Sequence, residues 1–172
     1  MKSRVRLLLA GLLVFALLSA TPGGITRIAA QQAATAGATK VNELLTQSGY
    51  DVTRPSENVW LIPFKGDSLK DFKVILSTSG DGNLLVVFVV IAEKKEIKAS
   101  ADLWLRMLRF NDELDRVKVG IDGDSDAFVR IDLSTRTLDL DELKANIHQV
   151  AAAADEVHAA MEPYLGAPAP GN

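Results

Sequence analysis

The 172-residue sequence predicts an α+β domain on an antiparallel five-stranded sheet, with elements in the order α-β-β-β-α-β-β-α. Three observations carry this reading. Two pairs of apolar runs are joined by short loops rich in Gly, Asp and Asn, the chemistry of hairpin turns. One helical stretch separates the three-strand run from the two-strand run, whereas a parallel doubly wound sheet alternates strand and helix. A long apolar seam near the carboxyl end has the spacing of a helix lying on a sheet.

The chain begins with an export pattern. Residues 1–30 hold Lys2, Arg4, Arg6 and Arg27 and no acid, and the apolar run Leu7–Ala20 follows the first three cations. As a helix that run spans about 21 Å, short of the roughly 30 Å of bilayer hydrocarbon. A basic start, a short apolar run and then small residues read as a signal peptide cleaved after Ala20 or Ala30, with an uncleaved anchor as the alternative. No adjacent arginine pair is present, which favours the general secretory route. The expected location is periplasmic or secreted, with membrane contact only through this segment before cleavage. Residues 31–39 are expected to form a flexible start, although Ala33, Ala34, Ala36 and Ala38 are able to extend the next helix backward. One domain is expected over residues 40–165, and residues 166–172 read as a flexible tail.

Within the domain, Val41, Leu44 and Leu45 mark a helix over 40–48, which Gly49 ends. The strand 59–64 places Trp60, Ile62 and Phe64 on one face, and Pro63 assigns it to an edge or a bulge. Phe72, Val74 and Leu76 alternate in the next strand, followed by the hairpin loop 79–83. Leu84–Ala92 has no alternation and reads as a central strand apolar on both faces. Each face then needs a cover: helices, another subunit or a bound segment. Ser100 caps a helix over 101–114. Its expected apolar face holds Leu103, Trp104, Met107, Leu108, Phe110 and Leu114, with Asn111 near the centre and Leu105 outside. A second hairpin joins 117–121 to 127–133. Asp139 and Glu142 resemble a capping box. The seam Leu140, Leu143, Ile147, Val150, Ala154, Val157, Met161 then makes one helix that stops near Pro163.

Charge and composition exclude several functions. All 22 acids lie in residues 31–172, against 15 of the 19 Lys and Arg, a formal charge of −7 for that part. Such a body suits neither a nucleic-acid backbone nor anionic lipid. With no cysteine, disulfides and thiol chemistry are excluded. The loop Asp122-Gly123-Asp124-Ser125-Asp126 opens like a calcium loop, but Ala127 and Leu133 stand where Gly and Glu are required. His148 and His158 lie about 15 Å apart along one helix and cannot share a metal. No nucleophile elbow or phosphate-binding loop is present. No enzyme activity, metal or cofactor is expected.

The order of elements, the stretch Leu103-Trp104-Leu105-Arg106-Met107-Leu108-Arg109-Phe110-Asn111-Asp112-Glu113-Leu114, the strand Val117-Lys118-Val119-Gly120-Ile121-Asp122 and the closing helix Asp139–Leu165 together resemble the YbjN family of sensory transduction regulators. The resemblance implies a type III secretion chaperone-like fold, no catalysis, a homodimer, and extended protein segments held on apolar surface. Those chaperones work in the cytosol, so the export signal argues against a secretion-apparatus partner.

Candidate partner-binding residues are Trp60, Phe64, Trp104, Leu105 and Phe110. These are large apolar groups that form either core or, where exposed, a protein contact. The edge strand they flank would also accept an extended peptide. Asn111 is read as a buried polar group whose amide pairs backbone groups where its helix turns into the next strand. The expected function is an exported, non-catalytic, chaperone-like protein-binding module, dimeric, with an unidentified protein or peptide partner. The alternative is an envelope sensor or carrier holding a small apolar ligand between sheet and helix.

Overall fold

Helix α1 runs from Gly24 to Ser48 in the computed structural model, which describes residues 24–166 of the chain and side chains from residue 36 onward. Residues 31–39 are therefore helical and not a flexible start. Alanine has the highest helix propensity, and six alanines between 29 and 38 carry the helix backward. Both expected cleavage points sit ahead of the domain, with Ala20 outside the described residues and Ala30 inside the helix. Gly49, at φ +79°, ends α1 in the left-handed conformation that glycine adopts without strain.

Six strands follow, β1 Thr53–Ser56, β2 Val59–Phe64, β3 Phe72–Thr78, β4 Leu84–Ala92, β5 Lys118–Ile121 and β6 Ala127–Ser134, with α2 Ala101–Glu113 and α3 Leu140–Met161. All neighbours are antiparallel, and the spatial order is β1-β2-β3-β4-β6-β5. The sheet has six strands, one more than expected. The extra strand, Thr-Arg-Pro-Ser, is exposed throughout and carries no apolar alternation to reveal it. It also displaces β2 from the edge. Its pairing stops at Leu61, so Pro63 sits beyond the ladder to β1, where a missing N–H costs nothing.

One face of the sheet bears Trp60, Ile62, Val74, Leu76, Leu85, Val87, Val89, Val129, Ile131 and Leu133, all buried. Helix α3 lies on it, chiefly over β4 and β6, with α1 beside α3 and α2 against β5. The seam is the reason: Leu143, Ile147, Val150, Ala154, Val157 and Met161 are all buried. Asp139 caps α3 by accepting from the Glu142 N–H at 2.8 Å, and Ser100 caps α2 by accepting from the Leu103 N–H at 3.2 Å. Each satisfies one amide that a helix start leaves without a partner.

Candidate functional site

The second face of the sheet is different. Along β4, Leu85, Val87, Val89 and Ile91 point to the helices, while Val86, Phe88 and Val90 point away and stay half-buried. The register extends this stripe sideways. Ile75 stands opposite both Leu61 and Phe88, Val86 lies opposite Ser77 and Asp132, and Val90 opposite Phe128. The result is a half-open apolar surface of Val59, Leu61, Ile75, Val86, Phe88 and Phe128. The expectation that β4 needs shelter on both sides is therefore met by helices on one side only.

Beside this stripe lies a charged group on β5 and β6. Asp132 Oδ2 accepts from Lys118 Nζ at 2.6 Å and from Arg130 Nη2 at 3.2 Å, and the Arg130 guanidinium lies 5.6 Å from the centre of the Phe128 ring. Arg130 Nε and Asp132 Oδ1 are buried and have no partner.

Helix α2 carries a second exposed apolar patch. Only Leu103, Met107 and Phe110 of its apolar residues are fully buried, whereas Trp104, Leu105 and Leu108 are 36%, 50% and 68% exposed. Trp104 and Leu108 thus leave the expected inward face and join Leu105. Apolar residues occupy so much of this helix that periodicity alone does not select the buried side. Leu108 is the most exposed of the three.

The candidate residues divide accordingly. Trp60 and Phe110 are core, not partner contacts. Trp60 Nε1 donates to Asn42 Oδ1 at 3.3 Å, and Phe110 is covered by Arg106, whose guanidinium lies 4.1 Å above its ring. Phe64 is half-buried in an aromatic cluster with Tyr50, Phe72 and His148, at centroid distances of 5.8–6.2 Å. Trp104 and Leu105 are the two that reach the surface. Asn111 is exposed as a residue, not buried, because α2 is rolled away from the expected orientation. Its amide nevertheless pairs the backbone. Nδ2 donates to the carbonyls of Met107 and Val119, both at 3.1 Å, and Oδ1 accepts from the Val119 N–H at 2.9 Å.

A polar cluster that the sequence did not reveal joins α3 to the β2–β3 loop. Asp155 accepts backbone N–H bonds from Asp67, Ser68 and Leu69 at 3.0, 2.9 and 2.7 Å. These donors, Leu69 above all, hold its carboxyl below the usual aspartate range. Ser68 Oγ donates to Glu162 at 2.9 Å and lies 2.7 Å from His158 Nδ1. These contacts tie the β2–β3 loop to the end of α3. Next to it, an open depression of about 420 Å³ is lined by residues that include Phe64, Phe72, His148 and Asp155. The partners in these contacts are up to 94 residues apart, beyond any local pattern.

This antiparallel sheet with helices on one face is similar in fold to solved type III secretion chaperones. The crystal structure of the ExsC–ExsE complex matches with a TM-score of 0.53 at 15% identity, over 71% of this chain and 93% of that one. The HopA1–SchA chaperone–effector complex matches with 0.52 at 12%, over 72% and 97%. The ExoU–SpcU heterodimeric complex from the type III secretion system of Pseudomonas aeruginosa matches with 0.50 at 14%, over 73% and 97%. The chain belongs to the YbjN family, described as "Putative bacterial sensory transduction regulator", whose profile matches residues 38–163. No curated protein matches the sequence.

Proposed function

We propose that the chain is an exported, non-catalytic, chaperone-like protein-binding module that acts as a dimer in the periplasm or outside the cell. The observation that carries this reading is the half-open apolar sheet face centred on Val86, Phe88 and Val90. Contiguous apolar surface of this kind gains about 25 cal/mol per Å² when covered, before the costs of association. The fold is shared with proteins solved in complex with protein partners, which supports a protein as the occupant. The α2 patch of Trp104, Leu105 and Leu108 supports self-association on a second surface. The test is photo-crosslinking in intact cells from position 88, with the exposed position 156 on α3 as control. A discrete protein captured from 88 and not from 156 is the expected result. Equal labelling from both positions overturns the reading.

The depression beside Phe64, Phe72 and His148 favours one second reading, a sensor or carrier of a small apolar ligand. Its volume lies in the range of small-molecule sites. A lipid-like mass retained in native mass spectrometry, and lost in Phe72→Ser, would support it over the first.

A further inference from the structure

We infer that the half-open sheet face receives an extended protein segment with apolar side chains at one end and carboxylates at the other. The inference rests on the protein-binding reading above and specifies the chemistry of the partner.

The argument starts from one row across the sheet. Leu61, Ile75, Phe88, Arg130 and Lys118 stand opposite one another in register, one from each of β2, β3, β4, β6 and β5. At about 4.8 Å per strand the row is roughly 19 Å long. Its first three members are apolar and its last two are cations. A seven-residue extended segment also spans about 20 Å and presents alternate side chains to one side. Laid across the strands, it matches the row end to end.

Charge then selects the partner. The outward strand positions carry Lys73, Lys118, Arg130 and Asp132, a formal +2 on a chain whose residues 31–172 sum to −7. Asp132 is shared by Lys118 and Arg130, so one of those two cations is unmatched. The Arg130 Nε–H and Asp132 Oδ1 are buried without partners, a donor and an acceptor two residues apart on one strand. The Lys118 and Arg130 side chains stay partly exposed while sharing Asp132, so an occupant that brings carboxylates to them is preferred over a purely apolar one. A second copy of this face brings the same positive charge and is disfavoured.

The experiment titrates the full-length chain with a fluorescent Leu-Ser-Phe-Ser-Glu-Ser-Glu peptide. A second peptide carries Lys for Glu, and a third carries Ser for Leu and Phe. The first is expected to bind best. The lysine peptide should be about tenfold weaker at low salt, a gap that narrows as salt screens the charges. Arg130→Gln with Lys118→Gln should remove that preference, and Phe88→Ser should weaken all binding, in variants whose thermal melts stay cooperative. Equal binding of the acidic and basic peptides overturns the inference but not the protein-binding reading. So does binding that Phe88→Ser leaves unchanged, or a dimer that Phe88→Ser dissociates, which would make a second copy the occupant. Failure of all three peptides overturns the inference, while the crosslinking test from position 88 decides the broader reading separately.

Discussion

Replacing Asn111 by leucine tests how α2 holds the last strand of the sheet. The amide bonds both polar groups of Val119 on the side of β5 away from β6, accepting from its N–H at 2.9 Å and donating to its carbonyl at 3.1 Å. Asn111 thus stands in for a neighbouring strand at one residue. Each bond contributes about 1 kcal/mol net. The third bond, to the Met107 carbonyl of the same helix, adds little, because that carbonyl is also placed to accept the helical N–H four residues on. Leucine is the better helix former by up to about 0.5 kcal/mol. The balance is a loss of about 1.5 kcal/mol, or roughly 5 °C in Tm for a domain of this size. Circular dichroism melts and urea titrations of the full chain read this directly. Asn111→Leu should also scatter more light on heating, since the freed β5 backbone offers a pairing site. A variant with the wild-type Tm but lost partner binding would refute the argument and make Asn111 a ligand contact.

Three further outcomes are expected. A Cβ on Gly37 would strike the Gly82 carbonyl, which also accepts from Thr135 Oγ1, so Gly37→Ala should destabilise by about 1–2 kcal/mol in urea despite alanine's helix propensity. A Cβ on Gly66 would strike the Asp155 carboxylate, so Gly66→Ala should cost about 1–2 kcal/mol in the wild type and far less in Asp155→Ala, a coupling that a double-mutant cycle measures. Hydrogen bonds from the Ser79 hydroxyl and from Asn83 hold the Asp81 carboxyl down at about 2. Its folded pKa is below the ordinary value of about 3.9, so its stabilisation of the hairpin is present above that value and lost as pH falls toward 2. NMR titration of the Asp81 carboxyl should show the low midpoint, and a midpoint near 4 would contradict it.

Features with a strong local signal were legible. The seam from Leu143 to Met161, the caps Ser100 and Asp139, and the loops 79–83 and 122–126 all fall where pattern and turn chemistry put them. Features decided by tertiary context were not. Strand β1 has no buried residue, so no periodicity marks it. The rotation of α2 is set by what Leu103 and Phe110 pack against, which left Trp104 and Leu108 ambiguous and put Asn111 on the wrong side. The open sheet face was half legible: Leu84–Ala92 announced two apolar faces, but only the register shows that Leu61, Ile75, Val59 and Phe128 join it. The clamp of Asp155 and His158 on residues 67–69 was invisible because its halves are about 90 residues apart.

The two flanks of the sheet are both plugged. At one, Asn111 occupies the Val119 backbone, and at the other β1 is short, irregular in register and interrupted by Pro55. An arriving chain therefore finds no long row of free amides on which to stack. Growth into filaments by strand pairing is thus hindered at both edges of the sheet.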